Sequence, residues 1–153
     1  MSNGDDDQWP ECDPEYIKAL RRAVYNFAVL EISVVWIIER FEPGYFQKYA
    51  SQKETAGTVA QDFANVIARA QGHGEAAELS DINKKFADLK NKRDKLLHAN
   101  PALFVIDGQA SHGLHYQAHD LWWDKLAVHQ AAADFAAAAE EANRLLKNLV
   151  LNS

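Results

Sequence analysis

From Ile17 to Phe41 the chain repeats apolar residues at steps of three and four: Ile17, Leu20, Val24, Phe27, Val34, Ile38 and Phe41. At 3.6 residues per turn such positions fall on one face, so the pattern specifies an α-helix. Asp13-Pro14-Glu15 in front of it reads as an N-cap, a proline at the first helical position and an acid in the first turn. Pro43-Gly44 ends it. The helix predicted between these signals has roughly 28 residues and a length of ~40 Å. Its middle, Val24 to Ile38, is apolar nearly all round, which predicts cover on more than one side. Glu31 interrupts the seam midway between Phe27 and Val34. A carboxylate there snorkels to the rim, faces a polar pocket or pairs with a base, and the sequence leaves all three open.

The rest of the chain reads the same way. Gly44 to Glu54, with Tyr45, Phe46 and Tyr49, is expected as a loop or short helix folded onto the core. A second helix is expected from about Thr58 to Ala70, with Val59, Phe63, Val66 and Ile67 as its stripe, closed by Gly72-His73-Gly74. A third runs from Ser80 or Asp81 to Ala99, with Ile82, Phe86, Leu89, Leu96 and Leu97 on one face, and Pro101 stops it. Leu103 to Ile106, a turn at Asp107-Gly108, and Leu114 to Tyr116 form a small β-hairpin or an ordered loop. The last helix is expected from Asp120 almost to Leu151, and its Ala131–Ala139 segment lets a neighbouring helix approach closely. The fold class that follows is all-α: an up-and-down four-helix bundle with a loop or small β-hairpin before the last helix. Residues 1–12 read as an acidic, flexible tail and 13–153 as one helical-bundle domain.

Composition narrows the function classes. The longest apolar stretch, Ile32 to Ile38, lies between Glu31 and Glu39, far short of a membrane span, so no membrane partner is expected. Met1 to Asp7 lacks a basic segment followed by an apolar one, so no secretory signal is read. Cys12 is the only cysteine, which excludes an internal disulfide or a cysteine-cluster zinc site and suits a reducing cytoplasm. No phosphate-cradling glycine loop or serine nucleophile elbow occurs, and no cofactor is expected. The net charge of −6 comes from the N-terminal end, where Asp5, Asp6, Asp7, Glu11, Asp13 and Glu15 stand without a base. Farther along, Lys84, Lys85, Lys90, Lys92, Arg93 and Lys95 form a local basic stripe, either a phosphate-attracting surface or a solvated helix face.

The chemistry concentrates in Lys92-Arg93-Asp94-Lys95-Leu96-Leu97-His98-Ala99-Asn100-Pro101. Arg93 falls in the middle of the third helix's apolar stripe. A guanidinium there must be paired, face a polar cleft or emerge at an interface. His98 stands in the last helical turn, where the negative end of the helix dipole favours a cation, and a histidine can both accept and donate a proton. Asp94, four residues earlier, is placed to orient its ring. Arg93 and His98 diverge by about 140° on an ideal helix, so they share one site only through a bend or a second protomer.

Arg93-Asp94-x-x-x-His98, late on a helix that then breaks, resembles the signature of the HEPN superfamily, an all-α domain of about this size. The helical layout agrees from Asp13 onward, and the sequence match covers Arg93 to His98. The resemblance implies a metal-independent endoribonuclease acting as a homodimer, with the RNA 2′-hydroxyl attacking the adjacent phosphate to leave a 2′,3′-cyclic phosphate and a 5′-hydroxyl. Carried over by position, His98 is the acid or base, Arg93 stabilises phosphoryl charge and Asp94 orients; Lys90, Lys92 and Lys95 hold the RNA backbone. Roles as a toxin or defence component, with a cognate antitoxin or regulatory protein as partner, come with the same resemblance. The residues also admit a non-catalytic dimerisation or interaction module, in which Arg93 pairs internally with Glu31 and His98 caps a helix.

Two further groups stand out. His112, His115 and His119, near Asp120 and Asp124, are either incidental histidines of a polar loop, a three-imidazole zinc site, or polar groups folded over Arg93 and His98. Trp122-Trp123, expected at the start of the last helix, offer a base-stacking surface or, alternatively, one ring for the core and one for a dimer contact.

Overall fold

The computed structural model describes residues 13–152; the expected acidic tail over 1–12, with Cys12, lies outside the described residues. The described chain is mostly helical, with α1 (Pro14–Phe41), α2 (Tyr45–Gln52), α3 (Ala56–Arg69), α4 (Ala76–Leu97) and α5 (Lys125–Leu151). Between α4 and α5 a small antiparallel sheet is inserted, formed by β1 (Asn100–Ile106), β2 (Gln109–Tyr116) and β3 (Leu121–Trp123) in that order. No helix of the described residues is long and apolar enough to cross a membrane.

α1 has the predicted bounds. Asp13 caps it by accepting a hydrogen bond from the Glu15 N–H at 2.9 Å. Pro43-Gly44 then reverses the chain, with Gly44 at φ 95°, where a side chain would be strained. The Glu39 carboxylate fixes this turn by accepting from the backbone N–H groups of Gly44 (2.9 Å) and Phe46 (2.8 Å). The segment after the turn is a short helix that lies back along α1, stacking Phe46 on Trp36 with ring centroids 4.5 Å apart.

That reversal changes the bundle's topology. Because α2 has already brought the chain back, α3 runs in the same sense as α1, and their C-terminal ends meet in the Arg69–Glu42 ion pair. α5 also runs parallel to α1, since Asp13 pairs with Lys125 at 3.5 Å, Asn26 donates to the Ala132 carbonyl at 2.9 Å and Ser33 donates to Asn143 at 3.1 Å. Among the four longer helices only α4 is opposed, pairing Lys85 with Glu141 (2.6 Å) and Lys92 with Asp134 (2.8 Å). The expected four-helix up-and-down order is therefore corrected: the chain alternates only when the short α2 is counted as a fifth helix.

The core lies where α1, α4 and α5 meet. Phe27 stacks on Phe86 at 5.9 Å and meets Phe135 edge-on at 5.3 Å. Ala131, Ala132, Ala138, Ala139 and Ala142 are all buried, and these small side chains give α1 and α5 their close contact. α1 is covered on more than one side, as expected, by α2, α3, α4 and α5, while Val24, Tyr25 and Trp36 remain 43%, 70% and 41% exposed.

Boundaries near the sheet also move. α4 begins at Ala76, a turn earlier than its apolar stripe suggests, and ends at Leu97. The hairpin forms with Asp107 (φ 51°) and Gly108 (φ 78°) at its tip, the geometry of a tight hairpin turn. Leu121–Trp123 is a strand rather than the first turn of α5. It pairs with Leu114–Tyr116, and Asp124 then caps α5 through the Ala127 N–H at 2.8 Å.

Candidate functional site

Arg93 stands on the core-facing side of α4. Its guanidinium carbon lies 4.7 Å from the centroid of the Phe27 ring on α1, a cation–π contact. One terminal nitrogen is 3.3 Å from Asp94 Oδ1, and 22% of the side chain is exposed. Its Nε is buried and has no hydrogen-bond partner among the described residues. The Arg93–Glu31 pair held open above is not formed. Glu31 instead accepts from the Tyr49 hydroxyl at 2.7 Å, because the α2 reversal lays Tyr49 beside it. Burial and this carboxylate push the Tyr49 phenol up to about 12.

Asp94 does not orient His98. Its carboxylate is shared between Lys90, whose Nζ lies 2.7 Å from Oδ2, and Arg93. Asp94 reaches His98 only through the backbone, where its carbonyl accepts the His98 N–H at 3.0 Å. His98 is the C-cap residue of α4 and is exposed. A helical lysine four residues back is a nearer partner for a carboxylate than a ring beyond the last turn.

The three lysines separate. Lys90 is bound to Asp94 and packs near Gly57 at the start of α3. Lys92 crosses to Asp134 on α5. Burial opposes ionisation of Asp134, but hydrogen bonds from Lys92 and Gln130 and the charge of Lys92 outweigh it and hold the carboxyl below its ordinary value. Lys95 has no ion pair among the described residues and lines a cleft of about 530 Å³ with Lys92, Trp122 and Trp123.

The histidine run does not converge. His112 and His115 are three apart on β2, so their side chains leave opposite faces of the sheet. His112 Nε2 is buried without a partner among the described residues. His119 leans on Tyr116 with centroids 5.5 Å apart. Among the described residues, no group of three or more histidine, cysteine, aspartate or glutamate side chains is placed to hold a metal ion.

A cluster that the sequence did not assemble forms around His115. It pairs directly with Trp122 across the strands and stacks on it at 3.9 Å, and both donate toward Asp120 Oδ1, at 2.9 and 3.1 Å. Phe104 meets Trp122 edge-on at 4.9 Å. Strand alternation divides the two tryptophans: Trp123 is 2% exposed and Trp122 46%. A partial signal was present in Trp122-Trp123, two residues of high strand propensity between Asp120 and the cap Asp124.

Scans against protein families and searches of curated proteins and of solved structures return no match for this chain.

Proposed function

We propose that the four long helices form a HEPN-like domain that works in the cytoplasm as a homodimer and cleaves RNA without a metal. The observation that carries this reading is Arg93. Its guanidinium is fixed on Phe27, yet its buried Nε lacks an acceptor, and Asp94 meets it at only 3.3 Å. A phosphate oxygen is the acceptor a guanidinium fork fits best, and the 22% of the side chain that stays exposed is where one would meet it.

The same helix supports a dimer. Arg93 faces inward and His98 stands exposed past the helix end, so a site containing both draws one from each copy. Val24, three residues before Phe27, and Leu97, four after Arg93, are 43% and 48% exposed and give that meeting an apolar rim. In the reaction a 2′-oxygen attacks phosphorus as its proton passes to a base, and the bond to the 5′-oxygen breaks as that oxygen takes up a proton. His98 serves as the proton carrier, and Arg93 offsets the charge on the phosphoryl oxygens.

The test is cleavage of mixed RNAs in EDTA by the wild type, Arg93→Ala and His98→Ala. Cyclic-phosphate ends, with a loss of at least about 100-fold in folded His98→Ala, are expected. A folded wild-type dimer that leaves every RNA intact overturns the nuclease. The Arg93–Asp94 pair favours a second reading, a non-catalytic dimerisation module. There Arg93→Ala lowers thermal stability and removes no activity.

A further inference from the structure

Trp122 is 46% exposed but held firmly. His115 stacks on one face at 3.9 Å, Phe104 meets it in a T-shaped contact at 4.9 Å, and its indole N–H is 3.1 Å from Asp120. A large ring left open to water yet fixed in orientation loses little freedom when a flat ligand lands on it. It lines the cleft of about 530 Å³ between α4, β3 and the start of α5. The same cleft is lined by Trp123, whose buried Nε1 lacks an acceptor among the described residues. Asn91 and Gln130 bring amides, which offer a donor and an acceptor to a base edge. Lys92 is tied to Asp134, but Lys95 is held by no ion pair among the described residues.

We propose that this cleft binds a nucleobase carrying a phosphate, with Trp122 as the stacking surface and Lys95 as the phosphate contact. It is separate from the Arg93 site, because Lys92 and Lys95 leave α4 about 100° and 160° away from Arg93. Binding here therefore stands or falls independently of RNA cleavage.

The full chain is titrated into a fluorescein-labelled deoxyadenosine dodecamer and followed by anisotropy. The probe has no 2′-hydroxyl, so it is bound but not cut, and the readout is blind to whether Arg93 and His98 are catalytic. Trp122→Ala weakens binding by at least about 5-fold, and Trp122→Phe keeps most of it. Lys95→Gln, a change at a half-buried side chain that makes no ion pair among the described residues, weakens binding and lowers the salt slope of log affinity by about 0.7, the value for one phosphate on a single strand. Unlabelled AMP distinguishes the source of the ligand. Competition at equal nucleotide concentration identifies a free-nucleotide site; failure to compete while the dodecamer binds identifies a single-strand site. No binding by the wild type at low salt overturns the proposal, as does wild-type affinity in both Trp122→Ala and Lys95→Gln.

Discussion

Gly113 lies in the middle of β2, buried, with the Phe104 ring laid directly over its Cα. A Cβ added there meets two ring carbons of Phe104 and stands 2.7 Å from the Trp123 carbonyl oxygen. The two obstacles differ in kind. The ring can swing, although its edge contact with Trp122 is lost as it does. The carbonyl is held, because Trp123 is paired with Leu114 in the β2–β3 ladder and its oxygen accepts the Tyr16 hydroxyl at 2.8 Å. Gly113→Ala is thus an overpacking change against backbone, a class that costs about 1–3 kcal/mol. In a chain of this size that lowers Tm by ~2–12 °C. Circular dichroism at 222 nm gives the midpoint, and the near-ultraviolet signal reports the Phe104–Trp122 packing. Phe104→Ala in the Gly113→Ala background should restore only part of the loss, since the carbonyl clash survives. An unchanged midpoint with an unaltered aromatic signal would refute the reasoning.

Two titrations follow from the α1–α2 reversal. Backbone N–H groups of Gly44 and Phe46 hold the Glu39 carboxyl below its ordinary value. The native state thus favours the ionised form, and the stabilisation is full above the ordinary carboxylate range and is lost as pH falls through the lowered native value. Glu39→Gln should melt below the wild type at pH 6, and the gap should close in strong acid; a gap independent of pH sinks this account. Tyr49 is opposite in sign. Its phenol is raised to about 12 by burial and by Glu31, so its stabilisation is full below its ordinary value and is lost as pH climbs from there through the native one. Absorbance at 295 nm should show a phenol that ionises only near 12, absent in Tyr49→Phe, which should also lose about 1–3 kcal/mol by leaving Glu31 without its donor.

The helices were legible where periodicity and punctuation coincide. Asp13-Pro14 and Pro43-Gly44 bracket α1 because one supplies a cap and a preset φ and the other a forced reversal. Legibility failed where a choice depends on distant partners. The strand propensity of Trp122-Trp123 does not by itself exclude a helical turn; pairing with β2 decides it. The direction of α3 turned on whether Tyr45 to Gln52 closed into a helix, since an extended loop of that length leaves the next helix free to run either way. At the candidate site, the inward position of Arg93 followed from 100° steps alone. The partners of Glu31 and Asp94 did not, because a carboxylate pairs with whichever donor folding brings nearest: Tyr49 for one, Lys90 and Arg93 for the other.

The parallel course of α1 and α5 fixes where fused proteins would project. Asp13 sits beside Lys125 at one end of the bundle, whereas Asn152 shares a pocket with Arg40 and Phe41 at the other. The two ends of the described chain are separated by about the length of α1, ~40 Å. Circular permutation, which succeeds readily in domains whose termini adjoin, would here need a linker of at least ~12 residues laid along the whole flank of the bundle. Reporters attached at Asp13 and Asn152 would instead stand well apart, a ready ruler for energy-transfer measurements of the intact bundle.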